Sequence, residues 1–279
     1  LNSIDLHLHS VHSDGVLSPQ SLVELLAASD VKLFALTDHD TVAGLAETRA
    51  AALAHGLTLI DGIELSTQWR GRTLHVLGLS ITPSADSILR GVDERRELRQ
   101  ARAVEIARRL DRAGVPGSTA LEQFKNHPAP TRTHFARALV ALGVVEDEQS
   151  AFKRWLGADR PGQVGTAWPT LETTIATIVQ AGGVPVLAHP LRYRLSAGQR
   201  RTLMKEFRAG GGIAIEVVTG GAAPHQIESA TGLALRADLE GSIGSDCHDP
   251  KLPWHRPGRL AKLPPTLVPV WHRWTSGAN

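Results

Sequence analysis

Ile4-Asp5-Leu6-His7-Leu8, then Ser18-Pro19 at the head of a run to Ser29, then Lys32-Leu33-Phe34-Ala35-Leu36-Thr37: these three segments decide the fold. The first and third are short and apolar enough to be buried strands. Between them, Ser18 suits a helix N-cap and Pro19 the first helical position, so the spacing predicts a helix to about Ser29. A strand–helix–strand unit of this length implies parallel strands joined by a crossover helix. The alternation continues with an alanine-rich helix over 41–55 and strands over 57–63 and 73–79. From Pro83 to Pro169 it stops. Helical patterns over 86–113, 120–126, 133–142 and 147–156 follow with no strand among them, which predicts an all-helical insert. Alternation then resumes, with helices over 171–181, 197–209 and 222–237 and strands over 184–188, 213–218 and 241–244. Seven or so such units close into an α/β barrel, a (β/α) barrel made of residues 1–83 and 169–279 and carrying a helical insert domain, 84–168. In such barrels chemistry sits at the C-terminal ends of the strands.

The 279 residues are ample for a large core, and 42% apolar with 21% charged residues is ordinary globular composition. No apolar run approaches the roughly 20 residues needed to span a bilayer, and no basic-then-apolar leader opens the chain. The single cysteine, Cys247, excludes an internal disulfide and makes the cytoplasm the expected location. A net charge of +2 argues against a bulk nucleic-acid coat. Six of the thirty basic residues are lysine and the other twenty-four arginine. Arginine forks pair bidentately with phosphate, although a GC-rich genome gives the same skew. The tail from Pro250, rich in Pro and Trp, is expected to wrap the surface, with its tryptophans packing in cis.

Candidate ligands cluster where the strands are expected to end. His7 and His9 flank Leu8, so strand alternation puts both imidazoles on one face. Asp14 follows in the next turn. Asp38-His39-Asp40 ends the second strand, Glu64 the third, and His75 lies in the fourth. His189 follows Val186-Leu187-Ala188, and Asp246 and His248 follow the last short strand. Taken singly, each has a plainer reading: a hydrogen-bonded pair, a turn cap, a surface carboxylate, a satisfied core histidine. Together, imidazoles and carboxylates without a thiolate set suit divalent Mn, Fe or Zn. A rim packed with carboxylates needs cations, because unpaired buried charge is costly. Cys247 lies between two candidate ligands but, by alternation, points away from them. Asp38 and Asp40 are expected to orient His39 and its neighbours.

Ile4-Asp5-Leu6-His7-Leu8-His9-Ser10, Ser13-Asp14-Gly15, Leu36-Thr37-Asp38-His39-Asp40 and Gly244-Ser245-Asp246-Cys247-His248 resemble the four motifs of the PHP (polymerase and histidinol phosphatase) superfamily. The resemblance implies a distorted seven-stranded (β/α) barrel with a trinuclear metal centre. It implies a first metal held by His7, His9, Glu64 and Asp246. Glu64 would bridge to a second, shared with His75 and His189, and Asp14, His39 and His248 would hold a third. Asp14 stands where several relatives have histidine, which hardens that third site. The expected cofactors are two to three divalent ions, manganese foremost, with iron or zinc as alternatives. Such ions hold the attacking and leaving oxygens of an in-line displacement at phosphorus, with a metal-bridging hydroxide as the nucleophile. Asp246, His189 and Arg192 are the residues expected to act in catalysis.

A second grip on phosphate is expected from Arg99 and Arg102, three apart on one helix face, and from Arg132, Thr133 and His134 at a helix start, where the N-terminus itself attracts anions. For Arg99 and Arg102 a solvated helix face is the competing reading. Arg132-Thr133-His134-Phe135-Ala136-Arg137 and Ala188-His189-Pro190-Leu191-Arg192-Tyr193 resemble the nucleoside 3′,5′-bisphosphate phosphatase branch of the superfamily. That resemblance implies a metal-dependent phosphoric monoester hydrolase that removes the 3′-phosphate from adenosine 3′,5′-bisphosphate to give AMP. The insert would cap the barrel mouth and its arginines would read the 5′-phosphate. A 5′→3′ exoribonuclease on short RNA and a histidinol-phosphate phosphatase are the alternative enzymes, and a PHP-type structural module the non-enzymatic one. The expected partner is a small nucleotide substrate, or short RNA, with no membrane and no obligate protein partner.

Overall fold

The computed structural model describes residues 3–275. It is an α/β structure around one seven-stranded sheet in sequence order. The strands are β1 (Ile4–Asp5), β2 (Leu33–Leu36), β3 (Thr58–Trp69), β4 (Arg72–Leu79), β5 (Val184–Leu187), β6 (Ala214–Thr219) and β7 (Glu240–Gly244). The sheet nearly closes on itself. Leu6 donates its amide to the carbonyl of Ile243 and Leu8 bridges Cys247 in parallel, so β1 returns to β7. The neighbours β1–β2, β2–β3, β5–β6 and β6–β7 are parallel. Strand β4 runs against both β3 and β5. This corrects the expectation of parallel strands throughout. The cause is local: Arg70 and Gly71 both take positive φ, 48° and 74°, which makes a two-residue loop of the kind that turns a tight hairpin. With β4 folded back, β3 gains ladder partners as far as Trp69 and extends well past Glu64. Glu64 therefore sits in the middle of its strand rather than at its end.

Crossover helices cover the barrel: α1 (Pro19–Ala28), α2 (Leu45–Ala54), and, after the insert, α7 (Leu171–Gln180), α8 (Ala197–Ala209) and α9 (Pro224–Arg236). Their starts follow local chemistry. The hydroxyls of Ser18, Thr170 and Ser196 accept from the backbone amides of Ser21, Thr173 and Gln199, each satisfying one otherwise orphaned helix amide. Helix α2 begins at Leu45, four residues later than expected, because 41–44 form the turn after the Asp38-His39-Asp40 segment. Leu22, Val23, Leu26, Phe34, Leu36 and Cys247 share one core cluster, and Leu6, Ala35, Leu77, Val186 and Ala214 share another. Trp271 and Trp274, on and beside the short helix α10 (His272–Thr275), pack against the second cluster, whereas Trp254 is exposed. No helix among the described residues is long and apolar enough to cross a membrane.

Two compact units emerge: residues up to Gly91 together with those from Pro169 onward, and Val92–Trp168. The dividing point falls within a 27-residue helix, α3 (Asp86–Arg112). The second unit holds most of α3, then α4 (Gly117–Glu122), α5 (Arg132–Ala141) and α6 (Glu148–Ala151), with a π-helical turn at Phe152–Leu156. It contains no strand among its described residues. Its own core gathers Ile106, Leu110, Val115, Phe135, Leu139 and Leu156.

Candidate metal centre

His7 and His9 lie just beyond β1, with Leu8 between them buried in the core cluster under α1. The alternation that buries Leu8 turns both imidazoles the other way. His39 bridges Glu64 at the end of β2, His75 stands in β4 opposite Ser66, and His189, Asp246 and His248 follow β5 and β7. All nine expected ligands converge in the barrel unit.

Glu64 is the hub. Its Oε2 lies 3.3 Å from His7 Nε2, 3.3 Å from His9 Nε2 and 2.9 Å from His39 Nδ1. Its Oε1 faces His75 Nδ1 at 3.1 Å and His189 Nε2 at 3.2 Å. Asp246 Oδ1 is 3.4 Å from His7 Nε2 and 3.2 Å from His9 Nε2. Asp14 Oδ1 meets His248 Nε2 at 3.1 Å and His39 Nε2 at 3.8 Å. Four overlapping sets have donor atoms within 4.8 Å of one another: His9, Asp14, His39 and His248; His7, His9 and Asp246; His7, Glu64 and His189; and His39, Glu64 and His75. Two differences from the sequence expectation stand out. His9 also neighbours the Asp14 set, and His39 also neighbours Glu64 and His75.

The donors fit divalent cations. His7 Nε2, His9 Nε2, His39 Nδ1, His75 Nδ1, Asp14 Oδ1 and Glu64 Oε2 are buried without a hydrogen-bond partner. An uncompensated buried carboxylate costs several kcal/mol. Here the carboxylates draw positive charge onto the imidazoles. Burial pulls His7 down, but Glu64, Glu216 and Asp246 outweigh it and hold the ring well above its usual range. Burial acts the same way on His9, but the Asp246 and Glu64 carboxylates facing it lift it to about 10. His39 goes the other way, pushed by burial to about 4. A cation meets the same demand while leaving imidazole neutral, the form in which it ligates.

The outer ring nitrogens are anchored. His7 Nδ1 is 3.3 Å from Glu216 Oε2, His9 Nδ1 is 3.3 Å from Ser13 Oγ, and His248 Nδ1 is 2.9 Å from the carbonyl of Asp246. Each contact favours the tautomer with N–H outward and the Nε2 lone pair toward the cluster. Glu216 also accepts from the His189 amide at 2.7 Å. Sequence reading missed this residue. The signal was there: a lone carboxylate inside the apolar run Ala214-Ile215-Glu216-Val217-Val218, now wholly buried. Asp38 does not orient His39, contrary to expectation. It accepts from the Ser10 amide at 2.7 Å and from the hydroxyls of Ser10 and Ser13 at 2.6 Å, and so reaches His9 through Ser13. Asp40 accepts from the Ser66 amide at 2.7 Å. Cys247 points into the core as expected, and burial pushes its thiol up beyond the reactive range.

Backbone strain collects at the same place. Asp40, His189 and Asp246 take φ of 52°, 31° and 53°, a region L-residues enter at a cost and keep only where the surroundings enforce it. Gly244 explains how β7 comes so close: a Cβ there would lie 2.2 Å from His7 Cβ and 2.8 Å from Glu216 Oε1. Arg192 pairs with Asp246 Oδ2 and donates to the Gly220 carbonyl at 3.4 Å. Tyr193 accepts from the His75 amide at 2.9 Å and its ring stands edge-on to His189. His12 is partly exposed, 3.6 Å from Glu47.

In the helical unit, Arg95 and Arg99 are buried, so the solvated-face reading fails for Arg99. Arg99 donates to the Pro130 carbonyl at 3.3 Å, and the guanidiniums of Arg99 and Arg102 lie 5.5 Å and 5.9 Å from the centre of the buried Trp168 ring. Thr131 caps α5, with the His134 ring nitrogen accepting from the Thr131 amide at 3.0 Å. Thr133 donates its amide to the Thr131 hydroxyl, and Arg132 donates to the Leu156 carbonyl at 3.0 Å.

Three comparisons bear on this site. Residues 5–122 match the model of the PHP domain. The chain is 39% identical to a 5′-3′ exoribonuclease of Haemophilus influenzae, over 96% of this chain and 98% of that protein. It is equally, 39%, identical to a 3′,5′-nucleoside bisphosphate phosphatase of Chromobacterium violaceum, over 96% and 95%. A solved structure described as an amidohydrolase from C. violaceum, with bound sulfate and no metal, superimposes with a TM-score of 0.92 at 37% identity, covering 98% of this chain and 96% of that one.

Proposed function

The chain belongs to the PHP family and is a metal-dependent hydrolase of phosphoester bonds; from that premise we propose that it removes the 3′-phosphate from nucleoside 3′,5′-bisphosphates. The observation that carries the reading is the convergence of six imidazoles on Glu64, Asp246 and Asp14, with the inward ring nitrogens of His7, His9, His39 and His75 unpartnered. His7, His9, Asp14, His39, Glu64, His75, His189, Asp246 and His248 would hold two to three divalent ions, with manganese the leading candidate. Such ions polarise the phosphoryl oxygens and lower the pKa of bound water.

The protein's own part is placement. Glu216 and Ser13 fix the tautomers of His7 and His9, so their inward nitrogens arrive as lone pairs. Arg192 takes one oxygen of Asp246 and leaves the other to the imidazoles. Its guanidinium, partly exposed, offers the remaining N–H groups to a phosphoryl oxygen as charge develops there. Arg99, Arg102, Arg132, Thr133 and His134 are assigned to the 5′-phosphate. The support is chemical: the guanidiniums of Arg99 and Arg102 lie over the Trp168 ring, and α5 presents a capped N-terminus.

Steady-state rates on adenosine 3′,5′-bisphosphate, 3′-AMP and histidinol phosphate test this. The bisphosphate should give the highest kcat/KM. A higher value for histidinol phosphate would overturn the assignment. The H. influenzae relative, just as similar, supports a second reading, 5′→3′ cleavage of short RNA. It predicts release of mononucleotides from a 5′-phosphorylated oligoribonucleotide.

A further inference from the structure

Two cavities in the barrel unit flank one stretch of chain that the proposed chemistry does not use. The first, of about 220 Å³, adjoins the metal centre: His189, Arg192 and Glu216 line one part of it, Gly220 and Gly221 another. The second, of about 330 Å³, is lined by Lys251, Arg256 and Arg259 with Leu25, Ser29 and two prolines. All three cations are exposed, and among the described residues no carboxylate lines that cavity. Trp254 lies between Lys251 and Arg256 in the chain. Its Cβ packs against Gly221 at the edge of the first cavity, and the residue is 55% exposed. This close approach requires glycine, because a Cβ on Gly220 would stand 2.5 Å from the Trp254 carbonyl. His255, next along, has its ring 6.0 Å from that of His248.

An exposed indole beside a cluster of cations is the combination that holds single-stranded nucleic acid: bases stack on the aromatic ring and phosphates take the charge. A mononucleotide needs neither. We propose that Trp254, Lys251, Arg256 and Arg259 bind the nucleotides of a short single-stranded RNA that lie 3′ of the bond being cleaved. The first cavity, beside Arg192, admits the nucleotide next to that bond. The proposal rests on the phosphoesterase reading of the metal centre and deepens it, by assigning a surface to the polymeric substrate.

The test compares wild type with Trp254→Ala and with the double variant Lys251→Ala/Arg259→Ala. Arg256 is left in place because it donates to the Pro250 carbonyl and shapes the loop. Two probes are used, a 5′-phosphorylated pentaribonucleotide and adenosine 3′,5′-bisphosphate. Each variant should lose about tenfold in kcat/KM on the pentamer, the scale of one stacked base, with the bisphosphate rate unchanged. Fluorescence anisotropy with the labelled pentamer reads the surface without turnover. There the slope of log affinity against log salt should flatten by about 1.4 in the double variant, roughly 0.7 for each cation removed. Equal losses on both probes, or no loss on either, would overturn the proposal. So would a wild type that cleaves the bisphosphate and neither binds nor cleaves the pentamer. A wild type that binds the pentamer through these residues but hydrolyses neither probe would instead sink the reading of the metal centre.

Discussion

In the barrel unit, buried Glu64, Asp246 and Asp14 face six imidazoles, and Glu64 Oε2, Asp14 Oδ1 and the inward nitrogens of His7, His9, His39 and His75 find no protein hydrogen-bond partner. In the helical unit, Arg99 is buried just as deeply, yet its guanidinium donates to a backbone carbonyl and rests near the Trp168 ring. One unit concentrates negative charge and ring lone pairs that only cations can satisfy. The other keeps arginine charge within a framework of backbone and aromatic partners. The difference matches the two tasks proposed above, assembling an electrophilic centre and presenting positive charge to an anion. It also says where each task should break.

The largest effect is expected at the hub. Glu64→Gln removes the charge facing five imidazoles and should abolish phosphate release together with metal retention, read by a phosphate assay and by elemental analysis. Normal activity in that variant would dissolve the contrast between the units. Next comes Glu216→Gln, which keeps an oxygen near His7 but not its charge. Loss of such a supporting group costs about 10- to 100-fold in metal affinity or activity, and a metal titration should show it with the fold intact by circular dichroism. A smaller change, confined to KM, is expected for Arg102→Ala: about tenfold on adenosine 3′,5′-bisphosphate and none on 3′-AMP, which lacks the 5′-phosphate. Equal effects on the two substrates would refute the role given to the helical unit's arginines.

The smallest effect lies farther along the same helix. Hydrogen bonds from Arg108 and then Arg109 hold the Glu105 carboxyl at about 2, below its ordinary 4.5. A depressed folded-state pKa stabilises above the unfolded value, so this contribution is present above about pH 4.5 and is lost as pH falls toward 2. Glu105 is partly exposed and screened by salt. Glu105→Gln should therefore leave activity unchanged and narrow the difference in melting temperature between pH 5 and pH 2 only slightly. A large loss at pH 7 would mean that the exposed charge network matters more than the packed core.

Much of this was legible in the residues. Leu8 between two histidines foretold which way each side chain would turn, and the nine ligand candidates lie together. What was not legible had physical causes. Glu64 sits mid-strand because the Arg70-Gly71 hairpin reverses β4 and prolongs β3, and a pairing direction leaves only that short turn signal. Glu216 lies among apolar neighbours whose pattern reads as core, and its partner His7 is 209 residues away. Asp38 was misassigned because adjacency to His39 suggested a contact, while the chain brings Ser10 and Ser13 to it from 25 to 28 residues earlier. The burial of Arg95 and Arg99 was hidden for a similar reason. A helix crowded with arginine looks solvated until its packing partners are known.

The barrel unit is proposed to hold more than one divalent ion through Glu64. Manganese retained per chain, measured by mass spectrometry after loading and desalting wild type and Glu64→Gln side by side, tests it most directly. The account predicts roughly two to three ions in the wild type and a marked loss in the variant. Equal retention in the two proteins, or none in the wild type, would contradict it.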